Sequence, residues 1–147
     1  MLGKLFYSFL LLTLCVGIHA AGVSAALRRL PRRLGPWAGF WWSSWLFAFL
    51  AGWMVLLHLF EICAWGVFYV WRDAIVDLPS ALYFSAVTYT TTGYGDIVLP
   101  PEWRLVGGVE ALTGILMCGW STGFFFAVVI RLFDSLRRES DTSGGAR

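Results

Sequence analysis

Three long apolar runs constrain this chain more than any other feature. Leu5–Leu27 has 23 residues and one imidazole, His19; Trp41–Trp71 has 31 residues with His58 and Glu61; Leu105–Ile130 has 26 residues with Glu110. At about 1.5 Å per helical residue, roughly 20 residues cross a hydrocarbon core ~30 Å thick. Each run is read as a transmembrane helix, and the second is long enough to tilt or protrude. The composition agrees: 59% hydrophobic, 14% charged, mean hydropathy +0.70. A soluble domain is about 45–50% apolar and about 25% charged, and the surplus here would form adhesive patches in water. A soluble enzyme, a nucleic-acid binder and a disordered protein are all disfavoured on this arithmetic. The fold class expected is an all-α integral membrane domain.

Within the first run, Gly17, Ala21 and Ala25 recur every fourth residue, a stripe expected to let another helix approach closely. Cys15, Cys63 and Cys118 each lie inside an apolar run. Their number is odd and no two share a metal-ligand spacing, so they are expected to be buried thiols acting as small hydrophobes. Neither a disulfide nor a cofactor is expected, and no nucleophilic triad, metal cluster or phosphate loop argues for an enzyme.

Leu78–Val98 fits none of the three spans. Residues 79–90 read as a short helix with Pro79 in its first turn. Twelve helical residues cover about 18 Å, too little to span. Thr91-Thr92-Gly93-Tyr94-Gly95-Asp96 follows. The segment is therefore expected to enter the membrane and turn back. Non-helical backbone is tolerated at that depth only where protein buries it or where it lines a watery cavity.

Charge sets the expected topology. Arg28, Arg29, Arg32 and Arg33 crowd the 28–40 loop without an acid, and Arg131, Arg137, Arg138 and Arg147 outnumber the acids of the C-terminal part. Inside-facing loops carry excess Lys and Arg. The loop and the 134–147 tail are thus expected in the cytoplasm, the tail disordered, with the N-terminus and the re-entrant loop outside a multi-pass cell-membrane protein. In the rival reading residues 1–26 are a cleaved signal peptide, with Lys4 as its basic flank; cleavage would leave four arginines outside. Trp37, Trp41, Trp42 and Trp45 at one boundary, and Trp65, Tyr69, Trp71 and Trp103 at the other, are expected to form interfacial aromatic belts.

The run from Ala81 through Tyr83, Phe84, Val87 and Thr90 to Asp96 resembles the pore helix and selectivity filter of potassium channels. The resemblance covers residues 41–133: outer helix 41–71, pore helix 79–90, filter 91–95 and inner helix 103–133. The first span, 1–27, and the tail lie outside it. It implies a C4 homotetramer in a lipid bilayer, since one loop per chain cannot enclose a pore. It implies K+ held by the carbonyls of Thr91, Thr92, Gly93 and Tyr94, with Gly93 and Gly95 supplying backbone angles closed to other residues. Asp96 would stand at the outer mouth. Tyr83, Phe84 and Val87 would support the filter, with Tyr94 wedged against the first two. Thr92 stands where valine is usual, and Val87 where some bacterial members carry a glutamate that partners the filter aspartate.

The same resemblance makes Gly114 a hinge. Helical stepping puts Ile115, Cys118, Thr122 and Phe126 on one face as a candidate cavity lining, with the rival register at Leu116, Gly119 and Gly123. His58 and Glu61 lie one turn apart, and Glu110 is alone in its run; such groups are costly in a membrane and face protein or water. They are read either as structural partners or as titratable elements. No arginine ladder occupies a span. The expected function is a potassium-selective channel subunit. The alternatives are a weakly selective cation channel and a regulatory membrane subunit that conducts nothing alone.

Overall fold

The computed structural model describes residues 2–29 and 40–144, with side-chain surroundings for 2–29 and 41–131. Most of the basic loop, including Pro31, Arg32, Arg33 and Trp37, lies outside the described residues. The described residues form four helices: α1 (Leu2–Arg29), α2 (Phe40–Trp71), α3 (Leu78–Tyr89) and α4 (Arg104–Gly144), with a 3-10 turn at Pro101–Trp103 before α4. Three of them are long and apolar enough to cross a membrane: Leu2–Arg29, Trp41–Trp71 and Pro101–Arg131.

Local chemistry sets the breaks. At the end of α2 the Asp73 N–H donates to the Val70 carbonyl (3.0 Å) and the Ala74 N–H to the Tyr69 carbonyl (2.9 Å). This is the paired closure of a helix whose next residue turns left-handed; here that residue is Asp73, at φ 53°, a type that tolerates the region. Asp77 then caps α3: its Oδ1 accepts from the Ser80 N–H at 2.9 Å, and Pro79 sits in the first turn, where a missing N–H costs nothing. That capping bond holds the Asp77 carboxyl below its ordinary value.

The Leu2 end of α1, the Trp71 end of α2 and the start of α4 share one end of the molecule. Lys4 Nζ lies 4.0 Å from the centre of the Trp103 ring and donates to the Glu102 carbonyl (3.3 Å). The Arg72 guanidinium lies over the rings of Tyr7, Trp71 and Trp103. So α1 and α4 run the same way and α2 runs against them. One apolar cluster, centred on Trp65, Tyr69, Tyr89 and Met117, fills this end around α3. A second, with Leu50, Met54, Leu57, Phe124 and Val128, joins α1, α2 and α4 at the other.

Several expectations change. The Gly17–Ala21–Ala25 stripe is not the contact face of α1: Gly17 and Ala21 are exposed, while Ser8, Cys15, His19, Gly22 and Ala26 are buried. Gly22 makes the close approach instead, with Leu57 over its Cα and Trp53 Nε1 donating to its carbonyl (3.0 Å). Only Cys15 is buried; Cys63 and Cys118 are exposed. Trp65, Tyr69 and Trp103 are core residues, not a belt, because α3 and α4 close over them. Trp41, Trp45 and Trp71 do face outward. Finally, α4 runs to Gly144 where a disordered tail was expected from Asp134. No proline or glycine interrupts 131–143 to stop it.

Candidate functional site

The segment after α3 departs from both helix and strand. Thr91, Gly93 and Gly95 have φ of 59°, 52° and 78°, while Thr92 and Tyr94 between them stay negative. A positive φ is routine for glycine and strained for a β-branched residue. The end of α3 holds the strained turn. The Thr90 N–H donates to the Ala86 carbonyl (3.1 Å), Thr91 to Thr88 (2.9 Å) and Gly93 to Val87 (3.0 Å). The Thr90 hydroxyl donates to the Ala86 carbonyl (2.7 Å), which leaves its oxygen to accept from the Thr92 hydroxyl at 3.0 Å. The sequence pointed to the glycines but gave no sign that Thr91 would share their conformation.

All five residues of Thr91–Gly95 are exposed in the single chain, Tyr94 at 72%. The expected wedge of Tyr94 against Tyr83 and Phe84 is not the arrangement within one chain. Phe84 is turned inward onto Tyr69, with ring centres 5.3 Å apart. Tyr83 donates its hydroxyl to Asp96 Oδ2 at 2.7 Å. This bond holds the Asp96 carboxyl below its ordinary value and raises the Tyr83 phenol. Asp96 therefore has a partner one helical turn before Val87, which sequence reading missed.

Behind this segment lie two buried polar clusters. Glu110 of α4 is fully buried; its Oε2 accepts from the Tyr69 hydroxyl (2.7 Å) and its Oε1 meets Ser85 Oγ (2.5 Å). Ser85 Oγ also lies 2.9 Å from the Ile62 carbonyl, which has no proton to give. The single serine proton serves one of these two oxygens. Glu110 thus pins α4 to α2 and α3.

The second cluster joins all four helices. Glu61 and His19 are fully buried. His19 Nδ1 is 3.0 Å from Glu61 Oε1, and the Tyr89 hydroxyl donates to Glu61 Oε2. His58 Nδ1 lies 3.0 Å from Tyr89 Oη and 3.6 Å from Glu61 Oε2. Both Nε2 atoms converge on Ser121 Oγ, at 3.0 Å from His58 and 3.1 Å from His19. The donor atoms of His19, His58 and Glu61 lie within 4.8 Å of one another. Sequence reading paired His58 with Glu61 and left His19, Tyr89 and Ser121 without a role. The available signal was that a carboxylate and two imidazoles in apolar runs each need a partner at membrane depth.

Ile115, Cys118, Thr122 and Phe126 are exposed on α4, but so are Leu116, Gly119 and Gly123. Val106, Glu110, Thr113, Met117, Ser121, Phe124 and Val128 form its buried stripe. The direction opposite that stripe falls between the two registers at about 100° per residue. Helix α4 continues through Gly114 without a break. A Cβ there would collide with the Tyr89 carbonyl oxygen. The glycine is explained by close approach to the end of α3.

Three apolar helices with a short fourth that ends in an exposed turn define a multi-pass membrane protein. A family model described as an ion channel matches residues 54–131, more than half of the 147-residue chain. The chain belongs to this ion channel family. A 46-residue stretch, 31% of this chain, is 41% identical to the potassium voltage-gated channel protein shk-1 of Caenorhabditis elegans. The match spans only 9% of that relative's length. No solved structure matches the chain.

Proposed function

We propose that this chain is the subunit of a potassium-selective channel, four copies of which surround a pore with α3 as re-entrant pore helix and Thr91–Gly95 as selectivity filter. The observation that carries this reading is the alternation of φ sign along Thr91, Gly93 and Gly95. In an ordinary strand successive carbonyls point to opposite sides. Alternating φ sign turns them toward one side, so four copies would offer stacked rings of oxygens. Such rings replace the water shell of a dehydrating cation. Exposure of the segment in one chain accords with a surface that faces an axis and neighbouring copies. The potassium channel named among the relatives supports the choice of ion.

The negative end of the α3 dipole points the same way as its C-terminus, toward the chamber below the filter, and favours a cation there. Asp96 and Tyr83 sit at the outer mouth. Outside placement of the loop and of the α1 N-terminus, with the α4 C-terminus in the cytoplasm, is supported by the arginine-rich 28–33 segment. It is also supported by α1 beginning at the same end of the molecule as the loop.

The test is ion flux into liposomes that contain only this protein. Potassium and rubidium should pass, sodium should pass poorly, and barium should block. Gly93→Ala should abolish selective flux, because a methyl group penalises φ 52°. Equal sodium and potassium permeability would leave a weakly selective cation channel. Absence of flux would leave a non-conducting subunit.

A further inference from the structure

The cluster around Glu61 has one more contact to fill than its neutral side chains have protons. Five contacts link His19, Glu61, Tyr89, His58 and Ser121. Two neutral imidazoles, one phenol and one serine supply four protons when Glu61 is a carboxylate. The deficit sits at an electronegative centre. His19 Nδ1 and His58 Nδ1 both turn toward the Glu61 carboxylate, at 3.0 Å from Oε1 and 3.6 Å from Oε2. The second distance is too long for a hydrogen bond. Both are close to the edge of a tetrahedron around a metal with ligands at about 2.0–2.1 Å, an edge of roughly 3.3 Å.

We propose that His19, His58 and Glu61 form a site for a divalent cation of zinc type, which clamps α1 to α2 beneath the end of α3. Two imidazoles and a carboxylate are a ligand set used for zinc. Tyr89, whose hydroxyl donates to Glu61 Oε2 and whose Oη lies 3.0 Å from His58 Nδ1, borders the site and orients the carboxylate. The opposite faces of the rings fit the same assignment. An imidazole that ligates through one nitrogen gives its other N–H to an outer acceptor, which fixes its orientation. Both Nε2 atoms lie at hydrogen-bond distance from the one oxygen of Ser121, whose two lone pairs accept two N–H bonds. The Ser121 proton then turns to Met54 Sδ at 3.9 Å. With a cation between the Nδ1 atoms and the carboxylate, every proton in the cluster has an acceptor. His19 lies 42 positions from Glu61, so no local spacing announces the set.

The experiment uses the full chain in detergent or lipid, stripped with chelator, loaded with zinc or cobalt, and dialysed. Elemental analysis should find about one ion per chain. The cobalt form should show the visible bands of four-coordinate nitrogen and oxygen ligation, without the intense thiolate charge-transfer band that Cys15, Cys63 or Cys118 would produce. His19→Asn and Glu61→Gln should each weaken retention at least tenfold. Ser121→Ala should keep the stoichiometry and weaken affinity by about 10–100-fold. Wild-type protein that retains no ion, a thiolate cobalt spectrum, or His19→Asn and Glu61→Gln variants that retain the ion as well as wild type would overturn the site. The wild-type measurements decide the matter even if a variant fails to fold, and none of them depends on conduction.

Discussion

The hydroxyl of Tyr89, the last residue of α3, is hydrogen-bonded to the carboxylate of Glu61, ten residues before the end of α2. Tyr89 immediately precedes the turn that carries Thr91, Gly93 and Gly95. The position of that turn is therefore set from behind by a carboxylate buried in the middle of a span. The same phenol oxygen meets His58, so α3 cannot slide along α2 without breaking two contacts at once. Tyr89→Phe keeps the ring and removes both contacts. It should lower stability by about 1–3 kcal/mol, the usual cost of leaving buried polar groups unpaired. Thermal unfolding in detergent checks this; an unchanged midpoint would mean that ring packing alone locates α3.

Gly114→Ala sets two effects against each other. Alanine improves helix propensity by about 0.8–1 kcal/mol. Its methyl group meets the Tyr89 carbonyl, a backbone atom that cannot rotate away, and overpacking costs about 1–3 kcal/mol or more. The expected outcome is net destabilisation and displacement of α3. Gly108→Ala, whose Cβ would meet nothing within 4 Å in the chain, should be neutral or stabilising. Equal effects at the two sites would remove close packing as the reason for Gly114.

Glu110 separates charge from hydrogen bonding. Glu110→Gln keeps an acceptor for Tyr69 and an amide donor for Ser85, so little stability should be lost. Glu110→Leu leaves the buried Tyr69 hydroxyl unpaired and should cost about 1–3 kcal/mol. Tyr69→Phe in the leucine background should recover part of that loss. A double variant as weak as the sum of the singles would show that the two residues do not act together.

The first three spans-worth of apolar sequence and the short helix with its proline were legible because length and hydropathy decide them. Helix α3 starts at Leu78, one residue before the expected 79, because the Asp77 side chain caps it. Partner choice was not legible. His19 reaches Glu61 and Ser121 only because α1 packs between α2 and α4, and nothing local in the sequence fixes the rotation of α1. The small-residue stripe suggested the wrong face for the same reason: Gly17 and Ala21 would allow close packing, but burying His19 beside Glu61 satisfies both groups. The positive φ of Thr91 was hidden because threonine is a poor residue for that region; three bonds from the end of α3 hold it there.

Asp96 provides a test by pH. The Tyr83 hydroxyl stabilises its carboxylate, so the folded value lies below the ordinary ~3.9. The contribution is present above that ordinary value and is lost as pH falls through the lower folded one. Tyr83→Phe should move the midpoint of Asp96 protonation upward. Infrared difference titration, with Asp96→Asn as the blank, reads this directly. Coincident midpoints in wild type and variant would contradict the bond.

The proposed function turns on whether the segment after α3 selects potassium. The most direct measurement is the reversal potential of single channels from purified protein in a planar bilayer, with potassium on one side and sodium on the other. A potassium-selective filter gives a reversal potential close to the potassium limit, lost on Gly93→Ala. A reversal potential near zero in the unmodified protein would contradict it.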